Sequence, residues 1–227
     1  MRFIEVLCEG TSDVPAVREV LTRKFNLVED QDFRIHPHRG KGRLPPSAQL
    51  LRVPDPGRDQ LLDLLPIKLK NMGQQTVPGF EIAVVVLVDA DDDDCRVLKQ
   101  DLLWVYHELP TKPTRCLFRI AVEETESWFI AQPDAVRAAY PTADRAILDR
   151  FRPDAVCGAW ERLAECLGHD PNVCTGGDKT EWAVAIAPRL DLDRPRSPSL
   201  AAFVAGVSRL LEQGEAGGKP GGTSARS

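Results

Sequence analysis

Residues 80–88 (FEIAVVVLV) limit the possible folds of this chain more than any other segment. The segment is apolar except for Glu81 and rich in β-branched side chains, which is typical of a strand covered on both faces. Such strands belong to parallel sheets that carry helices on both sides. The segment therefore predicts the central strand of an α/β domain.

Residues 3–8 (FIEVLC) and 115–122 (RCLFRIAV) are further predicted strands, and helical patterns separate the three. This alternation predicts a mostly parallel, Rossmann-like sheet flanked by helices. One helix is expected at about 58–71, kinked or interrupted at Pro66. From residue 134 the pattern is helical. We predict a core at 1–132, a helical extension packed on it at 133–212, and a disordered Gly- and Ser-rich tail at 213–227.

Carboxylates follow each of the three predicted strands. Glu9 follows the first strand, Asp89 and Asp91 follow the second, and Glu124 and Glu126 follow the third. In an open parallel sheet, ligands bind beyond the carboxyl ends of the strands. We therefore expect the three acidic segments to meet at one edge of the sheet.

Clustered carboxylates repel one another unless a cation balances them. Mg²⁺ prefers oxygen ligands, often one or two carboxylates with water and phosphate, and two such ions can promote phosphodiester cleavage. The Asp89-x-Asp91 spacing suits a metal site, because a strand-end residue and a loop residue can turn toward one ion. Residues 92–94 precede a predicted helix instead, where the helix dipole favours acidic side chains.

Other proteins also place Asp-x-Asp after an apolar strand. An EF-hand loop beginning at Asp89 is excluded, because its sixth and twelfth positions are Asp94 and Gln100 rather than Gly and Glu. A nucleotide-sugar transferase or a phosphatase stays open as an alternative. Neither class explains Glu9 or the acidic segment at 123–126.

Residues 36–44 (HPHRGKGRL) form a basic segment in an otherwise acidic chain. Arg39, Lys41 and Arg43 alternate with glycines, which allow a phosphate to approach the backbone so that the cations can contact it. The segment is a candidate nucleic-acid-binding loop, and a flexible solvated loop is the alternative.

The net charge of −5 argues against binding nucleic acid over the whole surface. The first residues lack the apolar region of a signal peptide, and no apolar run is long enough to span a membrane. The six cysteines include no C-x-x-C pair. We therefore expect a cytoplasmic protein that does not associate with membranes.

The segments EGTSD, HRGKG, LVDADDDD and EETESWFIA together resemble those of the DUF4276 family. A glutamate after the first strand and an Asp-x-Asp after a later strand are similar to the TOPRIM domain of topoisomerases, primases and OLD-family nucleases. The finer pattern is similar to the OLD type: it adds Asp13, the acidic segment 124–126 and a late lysine, here Lys179. The resemblance covers about residues 2–210.

The resemblance implies a nuclease that uses Mg²⁺ or Mn²⁺. The implied metal ligands are Glu9, Asp13, Asp89, Asp91, Glu124 and Glu126. The implied catalytic residues are Glu9, Asp89, Asp91 and Lys179, with the lysine neutralising the pentavalent phosphate.

The orientation of the third acidic segment stays open at this stage. If the segment is helical, residues 123 and 126 share a face, and if it is extended, residues 124 and 126 do. Glu126 is favoured because it faces the shared side in both cases.

The resemblance also implies a setting, since proteins of this kind are often encoded beside an ABC- or AAA-type ATPase in phage defence or DNA repair. A companion ATPase is therefore expected, with DNA favoured over RNA as the substrate and homo-oligomer formation left open. A regulatory subunit that binds an ATPase without catalysis is the alternative from another class.

Overall fold

The computed structural model describes residues 2–53, 55–75, 79–91, 93–154 and 158–212. Its strands are β1 (Arg2–Cys8), β2 (Phe33–Pro37), β3 (Glu81–Asp89) and β4 (Arg115–Ala121). They form one sheet in the order β2-β1-β3-β4, and every pairing is parallel. The predicted parallel α/β sheet flanked by helices is confirmed. The predicted disordered tail lies outside the described residues.

Helices separate the strands and continue after β4, as predicted, and the helix expected at about 58–71 begins and ends three residues later. They are α1 (Asp13–Glu19), α2 (Leu61–Gln74), α3 (Cys95–Glu108), α4 (Glu126–Ile130), α5 (Pro133–Ala139), α6 (Arg145–Arg150), α7 (Ala159–Cys166), α8 (Gly176–Ile186) and α9 (Pro198–Glu212). A π-helical turn (Val20–Lys24) continues α1, and short 3₁₀ helices occupy Ser47–Gln49, Pro171–Val173 and Ala187–Arg189. Of the predicted kink or interruption at Pro66, the interruption is wrong, because α2 runs through this buried proline and loses one backbone hydrogen bond there. The kink stays a prediction.

The two faces of the sheet are covered by different groups of helices. Val84 and Val86 of β3 pack with α2 and α3, whereas Val85 and Leu87 pack with α1 and the helices after β4. Burial on both faces explains why β3 is apolar at successive positions. Each fully buried valine or leucine stabilises the fold by roughly 1.5–3 kcal/mol.

The helices after residue 132 share one apolar core with the sheet. Trp128 of α4 lies 5.4 Å from Phe203 of α9, centroid to centroid, and its indole N–H donates to Ser199 at 2.8 Å. Arg119 of β4 donates to the carbonyl of Ala202 at 2.8 Å. The helices therefore pack directly on the sheet, while the division at residue 132 stays a prediction.

The start of β1 is tied to the end of α9. The Arg2 guanidinium donates to the carbonyls of Leu210 and Leu211 at 2.6 and 3.1 Å and pairs with Glu81 at 2.9 Å. These contacts lie at the amino ends of the strands, opposite the edge where the acidic segments follow the strands.

Sequence reasoning missed β2. The strand contains His36 and Pro37, which the sequence placed in a loop, and it lies at the edge of the sheet, paired with β1. Among the described residues, no helix is both long and apolar enough to cross a bilayer.

Candidate metal centre

The acidic segments meet because β1, β3 and β4 are neighbours and point the same way. Glu9 follows β1, and its carboxylate accepts a hydrogen bond from the backbone N–H of Asp89 at 2.8 Å. Beyond the end of β3, the N–H of Ala90 donates to Ala121 at 2.9 Å and that of Asp91 donates to Glu123 at 3.0 Å. The loop after β3 is therefore fixed to both neighbouring segments.

Two residues in these loops adopt left-handed backbone conformations. Asp91 has φ 48° and Glu123 has φ 66°, a region uncommon for residues other than glycine. Such conformations persist where surrounding contacts impose them, and they cluster at functional sites. Here the hydrogen bond between the two residues supplies one such contact.

Asp13 joins the first acidic turn to the third. It is 2% exposed, and its two carboxylate oxygens accept from the N–H of Gly10 at 2.9 Å and from the Thr125 hydroxyl at 2.7 Å. Both oxygens are thus engaged by protein donors. These contacts hold the turn that carries Glu9 in place. The role of Asp13 as a metal ligand stays a prediction.

Lys179 reaches the third acidic segment from α8. Its ammonium donates to Glu124 at 3.1 Å, lies 3.8 Å from an oxygen of Glu126, and sits 4.8 Å from the centre of the Trp160 ring. A capping box formed by Thr175 fixes the start of α8, so the helix presents its lysine from a defined position.

Some carboxylate oxygens in this cluster have no hydrogen-bond partner within the described chain. Oε1 of Glu126 and Oε2 of Glu124 are buried and accept no hydrogen bond. Burial of an unpaired carboxylate oxygen is costly, and such oxygens are the ligand atoms that Mg²⁺ and Mn²⁺ bind. The residues present therefore fit a hard divalent cation.

The pKa values in the cluster show the same lack of balancing charge. Burial raises the pKa of Glu9 to about 8. The hydrogen bond from the backbone N–H of Asp89 lowers this pKa in part, and the charge of Asp13 raises it further. Burial likewise raises the pKa of Glu126 to about 8, although Lys179 lowers it in part. Burial and then the charges of Asp13 and Glu9 raise the pKa of Asp89 well above its usual range. A bound cation would oppose all three shifts.

Glu161 of α7 is a site residue that sequence reasoning missed. Within the ranges described here, Glu123, Glu124 and Glu161 are the one group of three possible ligands whose nearest atoms all lie within 4.8 Å of one another. Among the described residues, the predicted ligands around Glu9 and Asp89 do not form a group of three with all ligand atoms within this distance of one another. A glutamate in the first turn of a helix is common, so Glu161 is recognised as a possible ligand only from the three-dimensional structure.

The basic segment reaches the same edge of the sheet. Lys41, flanked by Gly40 and Gly42 with φ 103° and 70°, donates to the carbonyl of Ala90 at 2.9 Å and pairs with Asp91 and Asp93 at 3.1 and 2.7 Å.

The two arginines of the basic segment are exposed on either side of Lys41. Arg39 pairs with Asp59 at 3.2 Å, and Arg43 lines an open cavity of about 530 Å³ beside Lys41. The nucleic-acid contacts of the three cations stay a prediction. Lys41 itself neutralises the acidic loop.

The fold and its acidic edge define an α/β protein with a candidate site for divalent cations. The chain belongs to the DUF4276 family, described as a domain of unknown function, whose model matches residues 8–208. The solved C-terminal region of the Burkholderia pseudomallei OLD protein is similar over 92% of this chain and 98% of that chain, at 14% identity and a TM-score of 0.47. No curated protein matches the sequence.

Proposed function

We propose that this protein is a nuclease that hydrolyses phosphodiester bonds with Mg²⁺ or Mn²⁺. One observation carries the proposal: among the described residues, Glu124 and Glu126 each keep a buried carboxylate oxygen without a hydrogen-bond partner close to the single ammonium of Lys179. Both glutamates follow β4, the strand that pairs with β3 and its last residue, Asp89. A purely structural ion-pair cluster would satisfy these oxygens with protein donors. The absence of hydrogen bonds to these oxygens favours a site built for cations.

The metal ligands in this proposal are Glu9, Asp89, Asp91, Glu124 and Glu126, with Asp13 holding the first turn in place. A bound ion supplies a more acidic water and charge for the leaving oxygen. Glu9, Asp89 and Asp91 orient the reacting groups. Lys179, held between the Trp160 ring and Glu124, is placed to balance charge on the phosphate.

The proposed substrate is nucleic acid, with DNA favoured over RNA. The chain is acidic overall, so backbone contacts depend on local cations, for which the exposed Arg39 and Arg43 are the candidates. Weak binding to the isolated protein would be compensated by a companion ATPase that delivers the substrate. The same contacts predict that any cleavage by the isolated protein weakens as salt concentration rises.

The test is cleavage of supercoiled plasmid and of structured RNA with Mg²⁺, Mn²⁺ or EDTA. Wild type is compared with Asp89→Asn and with Asp134→Asn, the same chemical change at an exposed position of α5. We expect cleavage that requires the metal, is lost in Asp89→Asn and is retained in Asp134→Asn. Equal cleavage by wild type and Asp89→Asn would contradict the proposed site.

A further inference from the structure

The first turn of α7 packs against the acidic segment that follows β4. The Glu123 carboxylate accepts hydrogen bonds from the N–H groups of Gly158 and Ala159, the latter at 3.0 Å. Glu161 lies in the same turn of α7, so its side chain and that of Glu123 occupy one small volume. The helical extension thus brings a carboxylate to the edge of the sheet.

One oxygen from each of Glu123, Glu124 and Glu161 lies within 4.8 Å of the other two. Oε2 of Glu161 and Oε2 of Glu124 are both buried and have no hydrogen-bond partner within the described chain. A glutamate placed only to favour the helix dipole gains nothing from such burial, because water would solvate it at no cost. The two oxygens without hydrogen bonds therefore favour a positive ligand at this position.

Glu126 supplies an independent indication. It is 1% exposed, its Oε1 also lacks a hydrogen bond, and that oxygen is directed at the ammonium of Lys179, 3.8 Å away. The same ammonium donates to Glu124. The single positive charge of Lys179 is therefore already shared by Glu124 and Glu126. It cannot also balance the carboxylates of Glu123 and Glu161.

We propose that Glu161, together with Glu123 and Glu124, forms a binding site for a hard divalent cation, so that the helical extension supplies a ligand to the metal centre. The inference deepens the proposed function, on which its catalytic meaning rests, by adding a ligand from α7. Carboxylates from three positions leave room for water and a phosphate oxygen around the ion. The ion would also join α7 to the segment after β4.

The test counts Mn²⁺ ions by electron paramagnetic resonance, which measures the free ion without any activity assay. Glu161→Gln keeps the shape of the side chain and removes its charge. Glu165→Gln on the same helix is the matched control, because it changes an exposed glutamate paired with Arg162. We expect Glu161→Gln to lose one class of bound Mn²⁺ or to weaken it by about tenfold or more, whereas Glu165→Gln binds as wild type.

The same proteins are compared by thermal unfolding with and without Mn²⁺. The Mn²⁺-dependent rise in Tm should be smaller in Glu161→Gln than in wild type or Glu165→Gln. Equal Mn²⁺ binding by wild type and Glu161→Gln, equal loss in both variants, or no binding by wild type would each overturn the inference. If Glu161→Gln does not fold, Glu161→Asp, which withdraws the oxygen by one methylene, must show the weakened binding instead.

Failure of this inference is distinguishable from failure of the proposed function. Asp89→Asn should retain the Mn²⁺ that depends on Glu161, since Asp89 belongs to the neighbouring strand. A protein that cleaves through Asp89 but binds Mn²⁺ normally in Glu161→Gln would overturn the inference alone.

Discussion

Asp91 and Asp93 lie on one side of the acidic edge, and Glu124 and Glu126 lie on the other. The aspartate side chains are 50% and 57% exposed, and Lys41 pairs with both. The glutamate side chains are 16% and 2% exposed and share Lys179. Each of them keeps an oxygen without a hydrogen-bond partner among the described residues. The protein thus balances the exposed carboxylates itself and leaves the buried ones short of positive charge.

This difference separates two kinds of acidic cluster. Lys41 is only 14% exposed, but its partners Asp91 and Asp93 are half exposed. Water therefore screens these ion pairs and can solvate both carboxylates if the lysine is removed, so the pairs contribute only about 0–1 kcal/mol. A buried carboxylate without compensation is much more costly. The glutamate side is therefore where a cation from solution would gain the most free energy.

The largest expected effect is on activity. Asp89→Asn should lower the cleavage rate by about 10²–10³-fold, and Asp91→Asn, on the side neutralised by Lys41, should lower it by only about tenfold. Single-turnover rates with saturating Mn²⁺ measure both. Equal losses in the two variants would show that neutralisation by Lys41 does not lessen the contribution of Asp91 to cleavage.

Lys179→Met should destabilise the metal-free protein by about 1–3 kcal/mol, because it leaves Glu124 and Glu126 buried without a cation. Urea unfolding at pH 8 with EDTA measures the free energy. Lys24→Met is the matched control, since Lys24 pairs with the exposed Asp193. A loss no larger than that of the control would mean that the glutamates do not depend on Lys179.

Stability without metal should fall as pH rises. The pKa values of Glu9 and Glu126 are raised from 4.5 to about 8. Between these values the folded protein holds protons that the unfolded chain has released, so the free energy of unfolding decreases from about pH 4.5 through about pH 8.

Melting temperatures in EDTA measure this dependence. We expect Tm to fall by at least about 3 °C between pH 5.5 and pH 8.5. Glu126→Gln should flatten the decrease, since the amide does not ionise. A Tm that is constant or rises over this range in the metal-free wild type would show that the buried glutamates are balanced by other means.

The smallest expected effect belongs to Lys41. Lys41→Ala should cost about 0.5–1 kcal/mol in urea unfolding, because its partners Asp91 and Asp93 are half exposed and can be solvated. High salt should reduce the difference from wild type further. A loss above about 2 kcal/mol would make the two sides alike and remove the contrast between them.

The sheet and the meeting of its acidic ends could be predicted because they follow from short-range patterns. The continuous apolar run of β3 requires cover on both faces, and parallel neighbours place their carboxyl ends together. β2 escaped prediction because its sequence FRIHP contains Arg34, His36 and Pro37, which only an edge strand tolerates well.

The parts of the site that were missed depend on distant segments. Glu161 is an ordinary residue of a helix start until α7 packs beside Glu123, which is 38 positions earlier in the sequence. The pairing of Lys41 with Asp91 likewise depends on how the loop after β2 folds over the sheet. Residue spacing cannot predict such contacts, because it shows which residues are close in the sequence and not which distant segments pack together in the fold.

The contacts of Arg2 with the end of α9 determine where a label can be attached without blocking the acidic edge. Because Arg2 holds Leu210 and Leu211, residue 2 and the last turn of α9 emerge side by side. Seven residues of β1 separate this point from Glu9, a distance of roughly 23 Å. A fluorophore or surface tether attached near residue 2 or residue 212 would leave the acidic edge facing freely into solution.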